Sequence, residues 1–231
     1  MITTQLIAAS KNAEHCQRNW DRSQSIPLAD VQALVDIATN MPTKQNEEYY
    51  QLVVSVNPEL NRLIYRLSID PDNSTTIHRN AQLDAHAVFV WFLQNPEQLS
   101  MSDKKNVIPS MIVKPEQLSM SDKKNRAGFF DDFRLNAKTS IGISSGAVAL
   151  SACQMGYRTG FNQCFDADLL KDLMIEWGIE NLTDEYNRPE LALGVGIPQA
   201  DIPWNYVMGD NGKRIKIVDT YYKNIKWDVI E

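Results

Sequence analysis

The sequence predicts an α+β or α/β fold, a mixed sheet with helices packed on it. Three observations predict it. Stretches with apolar residues at helical spacing alternate along the chain with apolar runs of strand length, the pattern of helices covering a sheet. The run over residues 85–93 is apolar almost throughout, as in a strand covered on both faces. Finally, 231 residues, 43% of them hydrophobic, are enough to bury a substantial core, so residues 1–231 are read as one domain.

Pro27 fits the first turn of a helix over residues 28–40, where Leu28, Val31, Leu34, Val35 and Ala38 mark one stripe and Pro42 sets the stop. Residues 51–56 read as a strand. Asn57-Pro58 then opens a helix carrying Leu60, Leu63, Ile64 and Leu67, and residues 85–93 form the partner strand. Between Lys138 and Arg158 the chain is uncharged, and Gly142, Gly146, Ala149 and Cys153 recur at helical spacing. That stripe has almost no side chain, so another backbone can approach it, either across a dimer or within the chain. Gly156 supplies the left-handed residue that ends the helix. Four serines, a threonine and a glutamine make the segment too polar for a lone membrane span. Residues 157–166 read as a strand, a turn and the cap of the next helix, and residues 191–198 as a buried strand closing on Gly and Pro.

Residues 96–106 recur unchanged as residues 115–125. Two copies are too few for a solenoid, so the repeat reads as a local duplication in a surface excursion at 95–126. Phe129, Phe130 and Phe133 follow it, and either pack on a substrate or anchor the central helix to the core.

Charge and composition narrow the function. A net charge of −6 argues against broad binding to a nucleic-acid backbone, which needs a basic face. The first ten residues lack the basic region and sustained apolar core of a secretory signal. Three widely spaced cysteines, Cys16, Cys153 and Cys164, suit a reducing compartment better than a disulfide framework, and a cytoplasmic protein is expected. Neither they nor His15, His78 and His86 form a zinc pattern.

Four motifs stand in a telling order: Arg18-Asn19-Trp20-Asp21-Arg22, Pro42-Thr43-Lys44-Gln45-Asn46, the small-residue helix leading to Asn162-Gln163-Cys164, and the strand ending Gly196-Ile197-Pro198. Together they make residues 18–198 resemble the nitroreductase family of FMN-dependent flavoproteins. The resemblance implies a central mixed, mainly antiparallel sheet flanked by helices, with a C-terminal tail swapped between subunits. It implies a homodimer with FMN at the subunit interface, hydride taken from NAD(P)H, and a small conjugated acceptor such as a nitroaromatic or a quinone reduced by a ping-pong mechanism. No side-chain acid, base or nucleophile is demanded, because the flavin carries the chemistry.

Residue by residue, the resemblance places Arg18 and Arg22 at the FMN phosphate and pyrimidine edge, where guanidinium offers a rigid fork of donors. Asn19 and Trp20 lie between them. Thr43, Lys44 and Asn46 would reach the ribityl chain and ring edge from the opposite subunit. Asn162, Gln163 and Cys164 would border flavin N5, and Gln82 is a polar candidate near the pyrimidine. Lys213 and Arg214 resemble the cations that finish the phosphate site, although a hairpin turn at 210–212 explains them equally well. Phe129 and Phe130 would line the substrate cleft, with the 95–126 excursion as a lid.

The departures point elsewhere. Trp20 replaces the usual Ser, Ala81 stands where some members carry Lys, and Gln163-Cys164 replaces a Glu-Gly type of pair. These leave open a protein that binds flavin without turnover, or a specialised flavin reaction such as dehalogenation or flavin breakdown on the same fold.

Overall fold

A computed structural model describes residues 2–68, 81–94, 120–183, 187–208 and 213–216, with the side chains of residues 2, 45 and 120–130 outside that description. The tail at 217–231, the turn at 210–212 and most of the duplicated excursion therefore lie outside the described residues.

The chain opens with α1 (Ile2–Ala13), to which the sequence reading assigns no element, and continues into α2 (Leu28–Thr39). Strand β1 (Tyr50–Ser55) leads into α3 (Pro58–Arg66), where Asn57 caps the helix by accepting from the Glu59 and Leu60 amides. A 3-10 turn at Ala81–Leu83 precedes β2 (Ala87–Leu93). The long α4 (Met120–Gln154) follows, then β3 (Arg158–Asn162), α5 (Ala167–Glu176) and β4 (Pro189–Gly196). A short hairpin, β5 (Tyr206–Met208) with β6 (Arg214–Lys216), completes the described chain.

The main sheet runs β1-β2-β4-β3, and every described pairing in it is antiparallel. Side chains alternate between two layers. On one face Phe89, Trp91, Leu193 and Val195 pack under α2 and α4. On the other Val88, Val90, Phe92 and Ala192 meet α3, α5 and the 3-10 turn. Trp91 is sealed in by a polar relay: its indole N–H donates to Ser144 Oγ at 3.0 Å, which donates to the Ala38 carbonyl at 2.9 Å. The relay ties β2, α4 and α2 together without leaving a buried donor unpaired.

Two expectations change. Helix α4 begins at Met120, so the end of the second repeat copy is helical rather than part of a loop reaching residue 126. The small-residue stripe also divides. Gly142 and Gly146 face outward with nothing within 4 Å of an added Cβ, whereas Ala149 and Cys153 are buried within the chain. Phe133 is 5% exposed and sits 5.3 Å from the Tyr49 ring, which makes it a core anchor. Phe129 and Phe130 lie on the same helix, their side chains outside the described residues.

Candidate functional site

The segment from Gln17 to Arg22 is laid along one end of the sheet. The Gln17 amide donates to the Thr159 carbonyl at 2.8 Å, the Asp21 amide to Ile197 at 2.9 Å, and Trp20 bridges to Pro198. Gln17 Oε1 accepts from the Arg18 and Asn19 amides, at 2.8 and 3.1 Å, which fixes the bend between them.

Three glycines make this docking possible. Gly160 and Gly194 oppose one another in the β3–β4 register. An added Cβ at Gly194 would lie 1.9 Å from the Gln82 carbonyl oxygen, and one at Gly160 2.7 Å from Gln82 Cβ, so the 3-10 turn lies directly on the strands. At Gly196 a Cβ would come within 2.5 Å of the Trp20 ring and 2.6 Å of His86 Nδ1. His86 then joins the segment to β4. Its Nδ1 accepts from the Ile197 amide at 3.4 Å, which leaves Nε2–H to donate to the Asp21 carbonyl at 2.9 Å.

The expected site residues divide by what already occupies them. Arg18 is half-buried and donates to the Cys16 carbonyl at 2.9 Å. Burial pushes its guanidinium below the ordinary value, with Cys16 opposing the shift. Asn19 is buried and its amide reaches the Tyr206 carbonyl at 2.5 Å, holding the β5–β6 hairpin to this segment. The Trp20 indole donates to the Ala81 carbonyl at 2.8 Å. Arg22 Nη2 bonds the Asp84 carbonyl and lies 2.5 Å from the Asp84 carboxylate.

At the outer edge of β3 several groups gather round one carbonyl. Gln82 Nε2 donates to Phe161 O at 3.4 Å, and the Cys16 thiol approaches the same oxygen at 3.8 Å. Asn162 Oδ1 accepts from the Cys164 amide at 2.6 Å and so shapes the turn that follows β3. Gln82 Oε1 and Asn162 Nδ2 are buried without a partner, an acceptor and a donor on the same face of the sheet. Gln163 is exposed and donates to the Glu190 carbonyl at 3.1 Å, and the Cys164 thiol is free and exposed.

The other expected residues sit elsewhere. Thr43, Lys44 and Asn46 occupy the turn before β1, where Thr43 Oγ1 donates to the Glu47 carbonyl at 2.8 Å and Asn46 takes a left-handed φ of 60°. Lys44 and Asn46 are exposed. Lys213 and Arg214 are exposed on the β5–β6 hairpin. Sequence reading missed Asp84, His86 and Gln17 as site-builders. The one available signal was glycine inside strands, which marks close backbone approach.

No family model matches the sequence, and no curated protein matches it. Solved structures do resemble it. A nitroreductase-like protein from Streptococcus mutans superposes with a TM-score of 0.58 at 18% identity, covering 88% of this chain and 93% of that one. A nitroreductase family protein from Streptococcus pneumoniae TIGR4 gives 0.57 at 14% identity, covering 91% and 98%. A protein from Exiguobacterium sibiricum 255-15, solved in complex with FMN, gives 0.58 at 15% identity, covering 86% and 90%. The fold is therefore nitroreductase-like, an α+β architecture. No helix among the described residues is long and apolar enough to cross a membrane.

Proposed function

We propose that the chain is an FMN-dependent oxidoreductase that takes hydride from NAD(P)H and passes electrons to a small conjugated acceptor of the nitroaromatic or quinone type by a ping-pong mechanism. One observation carries the reading. On a nitroreductase-like fold, the Arg18 segment, Gln82 and the Asn162–Cys164 turn gather at the outer edge of β3, with an acceptor and a donor still unspent.

Those residues fit a flavin mononucleotide. Arg18 supplies a cation for the phosphate, and Asn19 ties the hairpin bearing Lys213 and Arg214 to the same segment. The amide groups of Gln82 and Asn162 suit the polar edge of a flavin ring, which presents both donors and acceptors. When bound, the flavin supplies the hydride chemistry, and the protein supplies position and charge. Asn162 fixes the turn that would border the ring, and Arg18, placed by its bond to the Cys16 carbonyl, would hold the anionic end. Phe129 and Phe130 are proposed to line the acceptor cleft.

The protein is proposed to be a single-domain, cytoplasmic homodimer. Gly142, Gly146, Ile143 and Leu135 form an exposed face of α4 on which a second copy can pack closely. Thr43, Lys44 and Asn46 would then reach the flavin of the partner. The outer edge of β1, which pairs with no further strand among the described residues and faces Gly178, Ile179 and Asn181 across a groove, is proposed to receive the swapped tail.

Absorbance of the purified protein, followed under anaerobic NADH or NADPH, tests the reading. A bound flavin bleached by one donor is the expected result. Protein that takes up no FMN would end it, and flavin that neither donor bleaches would select the binding-only alternative.

A further inference from the structure

We propose that Asp84 determines how strongly the site favours a phosphorylated flavin, because it competes with the ligand phosphate for Arg22. The proposal rests on the flavin-binding reading above and narrows it to the charge of the ligand.

The turn at residues 81–84 takes hold of both Trp20 and Arg22. Ala81 accepts the Trp20 indole N–H at 2.8 Å, and the Asp84 amide donates back to the Ala81 carbonyl at 3.2 Å, so the turn is internally braced. Arg22 Nη2 then meets Asp84 twice, at the backbone carbonyl and at a carboxylate oxygen 2.5 Å away. The Asp84 side chain is 22% exposed and that of Arg22 42%, so water screens this pair less than a fully exposed one.

A phosphate arriving at Arg22 meets the Asp84 carboxylate as well. Its attraction to the guanidinium and its repulsion by the carboxylate act over similar distances and largely cancel. The Arg18 guanidinium donates to the Cys16 backbone carbonyl, which carries no formal charge. With Arg22 offset by Asp84, preference for phosphate in the native chain is assigned to Arg18 and the hairpin cations, and Arg22 is held in reserve. Asp84→Asn keeps the shape and the backbone acceptor while removing the opposing charge.

The experiment is a titration of FMN and of riboflavin, which lacks the phosphate, into the native chain, Asp84→Asn, Arg22→Gln and the double variant. In Asp84→Asn the ratio of FMN to riboflavin affinity should rise about tenfold, the scale of one charge-assisted contact, with riboflavin affinity unchanged. Arg22→Gln alone should move the ratio less than about threefold, and in the Asp84→Asn background it should erase the gain. An unchanged or lower ratio in Asp84→Asn overturns the proposal. So does a tenfold fall in Arg22→Gln alone, which would mean that Arg22 already holds the phosphate. Should Asp84→Asn fail to fold, Arg22→Gln in the otherwise native chain decides by the same threshold. If the native chain binds neither flavin, the flavin reading falls and this proposal falls with it; binding of both with an unmoved ratio sinks Asp84 alone.

Discussion

The two faces of the sheet are covered in different ways. Under α2 and α4, large side chains such as Phe89, Trp91 and Leu193 fill the space, and the Trp91–Ser144–Ala38 relay pairs the indole N–H and the Ser144 hydroxyl. On the opposite face, Gly160, Gly194 and Gly196 leave bare strand, and a 3-10 turn, an indole and an imidazole lie on it instead. Among the described residues, three of the four buried polar side-chain atoms without partners, on Asn61, Gln82 and Asn162, belong to elements of this second face, and the fourth, the Thr159 hydroxyl, lies on the first. One face is packed for stability, while the other gives up side-chain volume to place polar groups, as expected where a fold builds a site.

The largest test of that contrast is Gly194→Ala. The new methyl would overlap the Gln82 carbonyl, which is backbone and cannot swing aside, so the 3-10 turn must lift off the sheet. A loss of about 3 kcal/mol in denaturant unfolding is expected, at the upper end for overpacking. A loss below about 0.5 kcal/mol would mean that the turn rests only loosely on the strands.

Next comes Arg18→Ala, which probes the polar side alone. It should weaken FMN binding by about 2 kcal/mol, the scale of a lost charge-assisted contact. Thermal stability without flavin should change less, since burial of the guanidinium carries a desolvation cost that offsets its bond to the Cys16 carbonyl. Calorimetry giving unchanged FMN affinity would remove Arg18 from the site.

Tyr157→Phe probes the packed face. The Tyr157 hydroxyl donates to the Asp30 carboxylate, joining the start of β3 to α2. Burial first, then that bond and the Asp30 charge, push its ionisation up to about 12. A raised folded value means the contribution is complete below the ordinary phenol range and fades as pH climbs towards that figure. The Phe variant should lose about 1 kcal/mol at neutral pH and show a flatter alkaline limb. An identical pH profile for both proteins would dismiss the bond.

Sequence periodicity made much of this legible. The strands expected at 51–56, 85–93 and 191–198 fall within two residues of β1, β2 and β4, because strand length and apolar continuity are local properties. Helix α1 was not legible. Leu6 and Ile7 are 44% and 51% exposed while Ala9 is buried, so packing decides this helix more than its own apolar pattern does. Motif order proposed Arg18 and Asn162 as candidates, but it could not give the partners of Arg22 and Asn19. Arg22 and Asp84 stand 62 residues apart, and Asn19 and Tyr206 stand 187 apart, so only the folded chain reveals what each side chain already holds.

Gly142→Ala carries the smallest expected effect, and its sign is informative. Alanine at an exposed mid-helix position stabilises an isolated chain by about 0.5–1 kcal/mol, since glycine loses more backbone freedom on folding. Within the described chain an added Cβ meets nothing within 4 Å, so no intramolecular clash offsets that gain. In a dimer packed through this face of α4, the same methyl would press on the backbone of the other copy. Sedimentation over a concentration series should therefore show weaker association in the variant, alongside equal or higher melting temperature at the lowest concentrations. Stabilisation at every concentration with unaltered association would leave the glycine face solvated and move the subunit contact elsewhere.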